Sequence, residues 1–529
     1  MKYKVCILAA GEGKRLRPLT KNFNKALLPL GYKAAISHII EKFPKNIEIV
    51  VAIGHEKKKV SEYLLCAHRD RKIKLVNINN FSGQGSGPGY SLLLCKNYLK
   101  CPFIFFSVDT IVDEDIPLPN YNWMGIAPVK NTKEYCSVLI NKNLISDLYD
   151  KKKTNNKNIF IGLAGIKDYK FFFENLKKNK MLIQNEIQVS NGFRALIKKK
   201  LYPIPFSWYD IGIKKGYDVV KKKFSKNEEF NFEKTNEFLY FINNKVIKYF
   251  QDKSIINKRY TRSLKLGNLC PKIECKTKFF YFYKKVRGHV MYDTKKIVLV
   301  KKLLLWLNKY LWKKKNLSNI KVKQFRKACK LFYYNKTLDR IEAYYSKHKS
   351  KNFTQKINGK TIESAENLIS RIDFEWLSDG IPARFHGDLQ FENILYSKKD
   401  KFILLDWRQD FSGLLDYGDI YYDLAKLNGG IYISYKKIKK GLFSYKENLH
   451  NVLISTPSDP FLRKSKKIFD NFIYQKKLDI IKIEILTGII FLNMAAMHHE
   501  PFSHFIFHLG RYKIHKWINI KNLIARSSN

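Results

Sequence analysis

The sequence predicts two folded domains in series, an α/β domain followed by an α+β domain that is mostly helical. Three observations carry this. At 529 residues the chain exceeds one ordinary domain. Its first part alternates short apolar runs with helix-like stretches, the pattern of a parallel sheet covered on both faces. From Leu303 onward it reads as helical, apart from a loop-and-strand region between Arg384 and Asp406. With 45% hydrophobic and 14% aromatic residues there is apolar material to fill real cores, which excludes wholesale disorder.

Tyr3 to Ala9, Ile47 to Ile53, Ile73 to Ile78 and Phe103 to Val108 are uninterrupted or nearly uninterrupted apolar runs, expected as buried strands. Helix-like segments lie between them, around Ala34 to Lys42, Lys57 to Ala67 and Gly89 to Tyr98. The first domain therefore spans residues 1–224. Residues 225–236, SKNEEFNFEKTN, are polar and acidic against a basic background and read as a linker. The second domain spans 237–529. It starts with a hairpin turning near Asn243-Asn244, a basic helix at Ser254 to Leu266 and a strand at Lys278 to Val286. Its smaller lobe covers about 237–290, and a helical lobe the remainder, about 291–529.

The formal charge of +53 invites a nucleic-acid reading, but the lysines run along the whole chain beside abundant Asn and Ile rather than in one stripe. They read as solvated faces, so nucleic acid is not the expected partner. Eight cysteines are scattered without a CxxC pair, as expected of reduced thiols in a cytoplasmic protein. The opening MKYKVCILAAG runs into a glycine loop and reads as a first strand rather than a signal peptide. The longest apolar candidate, Ile485 to Met497, is broken by Thr487, Gly488 and Asn493, so no transmembrane segment is expected. His498, His499, His504 and His508 cluster near the C-terminus without a matching metal motif and read as packing or pocket lining.

Chemistry concentrates in two places. In the first, LAAGEGKRLRPLT (Leu8 to Thr20) precedes KALLPL (Lys25 to Leu30). A strand that ends in glycines and then basic residues suits phosphate: Gly11 and Gly13 let backbone N–H groups approach it, and Arg15 and Lys25 add charge. This combination resembles the sugar-phosphate nucleotidyltransferase family, with Lys14 departing from the family's usual Thr or Ser. The resemblance implies a Rossmann-like α/β nucleotidyltransferase domain. It also implies that Arg15 and Lys25 act in catalysis, and that the glycine-rich SGQGSGPGYSLL, with Gly87 and Gly89, holds the nucleotide. Asp109, after the strand FIFFSV, and Asp210, in SWYDIG, are implied as Mg²⁺ ligands, and Glu186, in QNEIQVS, as an acceptor contact. No hexapeptide repeat follows, so the β-helix appended to some members is not expected.

In the second place, FHGDLQFENIL (Phe385 to Leu395) precedes FILLDWR (Phe402 to Arg408). His-x-Asp-x-x-x-x-Asn followed by an apolar strand ending in Asp matches the catalytic loop and metal site of a protein-kinase-like phosphotransferase. It resembles the aminoglycoside phosphotransferase and choline kinase family, which implies an α+β protein-kinase-like domain using ATP and Mg²⁺. In that pattern Asp388 orients and deprotonates the attacking hydroxyl, Asn393 and Asp406 hold Mg²⁺, and His386 supports the loop. Lys248 corresponds to the strand lysine on the ATP phosphates. The following helix has no glutamate to pair with it and no glycine-rich loop precedes it, so a degenerate, non-catalytic binding domain is the alternative reading. In series the two chemistries expect a kinase that makes a phosphate monoester of a sugar, alcohol or amino alcohol. A nucleotidyltransferase then couples it to an NTP, as in surface-polysaccharide biosynthesis. The base of the nucleotide is left open.

Overall fold

The computed structural model describes residues 2–179, 181–224, 236–349, 353–397, 401–448 and 450–527, so the expected linker lies, but for Asn236, outside the described residues. The chain divides into two compact units. The first holds residues 2–224 with 236–251 and 277–282, and the second holds 252–276 and 283–527.

In the first unit β1 (Lys4–Ala9), α1 (Ala35–Ile40), β2 (Glu48–Ile53), α2 (Lys57–Ala67), β3 (Ile73–Asn77), α3 (Pro88–Cys95) and β4 (Phe103–Ser107) follow the alternation expected from sequence. Central β1 runs parallel to β2 (Ile7 opposite Val51) and to β4 (Ile7 opposite Phe106). Val5, Cys6, Ile7 and Ala9 are all fully buried. A strand covered on both faces has no polar side to alternate with, which is why it reads as a continuous apolar run.

The expectation of a wholly parallel sheet holds for these four strands, and past β4 the sheet is mixed. Beyond β4 come β5 (Thr110–Val112), β6 (Trp123–Pro128), β7 (Cys136–Asn141), β8 (Leu144–Asp150) and β9 (Asn158–Ile166). β9 pairs antiparallel with β4, placing Leu163 opposite Phe106. The sheet order is β8-β7-β9-β4-β1-β2-β3, with β6 joined to β9 and β10 (Tyr202–Pro205) joined to β6. β7 and β8 are linked by Lys142 and Asn143, both at positive φ (45° and 60°), the backbone of a tight antiparallel turn. α4 (Tyr169–Lys178) and α5 (Ser190–Ile197) bring Phe172, Phe173 and Phe193 against Phe103 and Phe105. The Phe103 and Phe173 rings stack with centroids 5.4 Å apart. β11 (Trp208–Asp210) and α6 (Lys214–Phe224) complete this part.

The expected hairpin forms as β12 (Glu237–Ile242) and β13 (Lys245–Phe250), turning through Asn243 and Asn244 at φ 46° and 61°. Asparagine tolerates this left-handed backbone, which a two-residue turn requires at both positions. The boundary drawn from sequence placed this hairpin in the second domain, whereas its packing belongs to the first unit. The Tyr240 hydroxyl donates to the Leu27 carbonyl (2.8 Å). The rings of Phe238 and Tyr240 lie against Phe23 and Tyr63, with centroids 4.9 and 5.0 Å apart.

The second unit is mainly helical. It contains α7 (Lys253–Leu266), α8 (Lys336–His348), the paired strands β14 (Ile394–Tyr396) and β15 (Phe402–Leu404), α9 (Ile420–Tyr432), α10 (Ile480–Ala495) and α11 (Phe502–Ser527). α10 packs on α9 and α11. The helices α10 and α11 approach so closely that a Cβ on Gly510 would lie 2.9 Å from the Gly488 carbonyl oxygen. α10 contains most of the apolar run Ile485 to Met497, and it is buried in this core. Among the described residues no helix is long and apolar enough to cross a membrane.

Candidate active site

The first unit gathers its candidate residues at the C-terminal ends of β1 and β4. Asp109 lies two residues past the end of β4, and Asp210 ends β11, which pairs antiparallel with β5 so that Asp210 faces Thr110. The Ile211 N–H donates to the Asp109 carbonyl (3.0 Å), locking the two segments side by side. Their carboxylates converge over Gly212. A Cβ built there would lie 2.9 Å from Asp210 Oδ1, 3.0 Å from Asp109 Oδ2 and 3.4 Å from Arg15 Nη2. The Lys25 ammonium forms an ion pair with Asp109 Oδ2. Lys25 is placed by Asn24, whose side chain donates to the Ala9 and His55 carbonyls (2.9 and 2.7 Å) and accepts from the Ala26 N–H (2.8 Å). Gly13 sits at φ 64°, with the Thr20 hydroxyl on its carbonyl (2.7 Å), and no atom lies within 4 Å of the Cβ position of Gly11. The glycine loop thus opens onto free space beside two cations and two carboxylates.

Burial works against the charge on Asp109, yet Lys25, the Ser107 hydroxyl (2.5 Å) and Arg15 hold its carboxyl down at about 2. Asp210 goes the other way: burial and the neighbouring Asp109 charge push its carboxyl up, against the Gly212 N–H (2.7 Å), Arg15 and the Tyr135 hydroxyl (3.0 Å). Burial and Asp210 in turn raise the Tyr135 phenol to about 12. Two converging carboxylates whose mutual repulsion is not fully offset are a hard-oxygen donor set for a divalent cation.

The second glycine segment meets Glu186 directly. Ser86 and Glu186 form a parallel bridge, and the Ile187 N–H donates to the Ser86 carbonyl (2.7 Å). A Cβ on Gly87 would stand 2.7 Å from the Ile187 carbonyl oxygen, and one on Gly89 2.7 Å from that of Gln188, so side chains are excluded at both positions. Glu186 accepts from the Gln188 amide (3.1 Å) and lies 4.0 Å from the Lys151 ammonium.

In the second unit β14 and β15 pair with Ile394 opposite Leu404, which brings Asn393 and Asp406 to one end of the ribbon. The Asn393 amide donates to the Asp388 carbonyl (2.9 Å) and to its carboxylate (3.2 Å). Asp388 is also paired with Lys426 (2.9 Å). Burial raises the Asp388 carboxyl and Lys426 lowers it, with a net downward shift. His386 is fully buried; its Nε2 meets the Leu405 carbonyl (2.8 Å) and its Nδ1 accepts from the Asp388 N–H (3.2 Å). Burial lowers this imidazole to about 4, so it is neutral and holds the loop. Asp406, at φ 57°, is paired with Arg259 of α7 (2.5 Å). Lys336 is driven down to about 6 by burial and by Arg408, Lys426 and Arg340, against the opposing pull of Asp388. Lys248 is buried in β13 of the first unit.

Several residues of these sites went unnamed in the sequence reading. Asp423 accepts from the His386 and Gly387 N–H groups (2.7 and 2.6 Å) and fixes the loop; it lies in the run DYGDIYYDLAKL, residues 416–427, in which α9 begins. Lys426 lies in the same run, one helical turn on. Gly212 lay in the quoted SWYDIG. Tyr135, Asn24 and Arg259 carry no local signal, because only tertiary contact brings them to the carboxylates.

Residues 4–116 match the family model described as nucleotidyl transferase. The chain is 30% identical over 221 residues to the bifunctional protein GlmU of Methanococcus vannielii, covering 39% of this chain and 51% of that protein. It is 29% identical over 221 residues to a bifunctional sugar-1-phosphate nucleotidylyltransferase/acetyltransferase of Sulfurisphaera tokodaii, covering 40% and 52%. A UDP-glucose pyrophosphorylase complexed with UDP-glucose aligns at 20% identity and a TM-score of 0.37, covering 42% of this chain and 98% of that one. The chain spans about half the length of the curated relatives it matches. The matched residues 4–116 hold β1 to β5 and Asp109, while β6 to β10 of the same sheet and Asp210 lie beyond them.

Proposed function

We propose that the first unit transfers a nucleotidyl group from an NTP to a sugar 1-phosphate or a related phosphate monoester. The observation that carries this is the convergence of Asp109, Asp210 and Arg15 on Gly212, with Lys25 on Asp109. A phosphate oxygen of the acceptor attacks the α-phosphorus, a new P–O bond forms, the α–β bridging bond breaks and pyrophosphate leaves. Arg15 and Lys25 offset the charge that gathers on the phosphates, and backbone N–H groups at Gly11 and Gly13 cradle them. Mg²⁺ fits the carboxylate pair of Asp109 and Asp210 and supplies further neutralisation of the phosphoryl oxygens when bound. The segment of Gly87 and Gly89 takes the nucleotide and Glu186 the acceptor.

For the second unit the reading is phosphoryl transfer from ATP to a hydroxyl, with Asp388 as base and Asn393 and Asp406 as Mg²⁺ ligands. The product of this unit then serves as acceptor for the first, in a cytoplasmic route to an activated donor such as surface polysaccharides consume. The Arg259–Asp406 pair, in a helix without the expected glutamate, supports a second reading in which this unit binds without catalysing. Mass spectrometry of products after incubation with mixed NTPs, Mg²⁺ and a metabolite extract tests both. Nucleoside diphosphate-linked products that vanish in Asp109→Asn support the first unit's role. Substrate-dependent ADP formation that vanishes in Asp388→Asn supports the kinase, and its absence in the wild type selects the binding role.

A further inference from the structure

Away from both carboxylate clusters, the end of α8 and the start of α11 bring together a different donor set. His348 ends α8, Glu500 precedes α11, and His504 lies in the first turn of α11. His348 Nδ1 is 2.7 Å and His504 Nε2 3.4 Å from the same oxygen, Glu500 Oε1. The three ligand atoms lie within 4.8 Å of one another, and the imidazole centroids are 4.5 Å apart. Each imidazole turns its remaining nitrogen to a hydroxyl: His348 Nε2 to Ser503 Oγ (2.8 Å) and His504 Nδ1 to the Tyr344 hydroxyl (2.6 Å).

The proton inventory sharpens this arrangement. Ser503 has one hydroxyl proton and donates it to the Ala495 carbonyl (2.6 Å). The His348–Ser503 contact therefore requires the proton on His348 Nε2, and a neutral His348 then presents a bare lone pair from Nδ1 to Glu500. A lone pair and a carboxylate oxygen at 2.7 Å repel unless something positive stands between them. Only an added proton or a cation satisfies that contact. The second imidazole turned to the same oxygen, and a hydroxyl fixing the far side of each ring, are what metal-binding histidines show.

We propose that His348, Glu500 and His504 form a Zn²⁺ site that ties the end of α8 to the start of α11. Two imidazoles and one carboxylate with an exposed side are a zinc donor set; Mg²⁺ and Ca²⁺ take oxygen. Glu500 is 61% exposed on its side chain, so the ion has an entry path.

The test uses the full-length protein, stripped of metal and held in excess Mg²⁺ so that the carboxylate clusters are saturated, and titrated with Co²⁺ and then Zn²⁺. The expected result is about one Co²⁺ per chain with the visible absorption of a four- or five-coordinate nitrogen and oxygen site, without sulfur charge-transfer bands, displaced by Zn²⁺. Zn²⁺ should also raise Tm. Glu500→Gln, which keeps shape, and His504→Ala should lose the spectrum, and Ser503→Ala should weaken affinity by about 10- to 100-fold. Circular dichroism checks that each variant is folded; Glu500→Gln is the deciding one because its side chain is at the surface. A wild type that takes up no Co²⁺, a thiolate spectrum, or equal uptake by wild type and Glu500→Gln would each overturn the site and leave a proton-bridged ion pair as the explanation.

Discussion

Gly212→Ala tests the first site without removing any functional group. Gly212 is outside the left-handed region, so alanine meets no backbone penalty, but its methyl carbon would stand 2.9 Å from Asp210 Oδ1 and 3.0 Å from Asp109 Oδ2. Such atoms rest at roughly 3.5 Å, so each carboxylate must retreat by about 0.5 Å. A displacement near 1 Å costs about 10² in rate, so kcat for pyrophosphate release should fall about 10- to 100-fold. The strain on stability is about 1–3 kcal/mol, which leaves a folded enzyme. Gly11→Ala is the counterpart. Nothing lies within 4 Å of its Cβ position, so Tm should stay at the wild-type value while KM for the NTP rises. A continuous pyrophosphate assay with thermal unfolding measures both variants. Wild-type kcat/KM in Gly212→Ala, or wild-type KM in Gly11→Ala, would refute the placement of phosphates between that loop and the carboxylates.

Tyr135→Phe removes a hydroxyl that favours ionised Asp210, so the acid limb of the kcat/KM profile should move to higher pH, read from pyrophosphate release across pH. Asp109 is held at about 2 against an ordinary 3.8. Its contribution of about 2 kcal/mol is therefore present above the ordinary value and lost as pH falls through 2; Lys25→Met should remove much of it, measured by urea unfolding between pH 5 and 2. Asp423→Ala leaves two buried N–H groups of the Asp388 loop without their acceptor and should cost about 2–5 kcal/mol, read as a lowered urea midpoint. If the second unit is a kinase, the same change should abolish ADP formation.

What could be read in the sequence is what local spacing encodes. β1 to β4 were legible because strands buried on both faces carry unbroken apolar runs, and Asp109 because it ends one of them. The hairpin was legible from Asn243-Asn244, yet its partner was not, since an amphipathic strand pair does not state which surface it covers. The antiparallel half of the sheet was missed for a related reason: a buried apolar run such as Phe160 to Ile166 has no direction written in it. At the sites, the glycines, Arg15, Lys25 and the aspartates stood out through motif spacing. Tyr135, Asn24 and Asp423 act through contacts between segments dozens of residues apart. Arg259 shows the limit from the other side: the missing glutamate was noticed, but not that an arginine of that helix would reach Asp406.

The hydrogen bond from Tyr240 to the Leu27 carbonyl fastens the hairpin to the same short turn, Lys25–Leu27, that presents Lys25 to Asp109. A chain cut at residue 224 would therefore lose the brace behind Lys25 and uncover the rings of Phe23 and Tyr63. The two halves are not cassettes that can be separated at the acidic stretch between them. Excising the first for crystallisation or reuse means carrying its borrowed strands along.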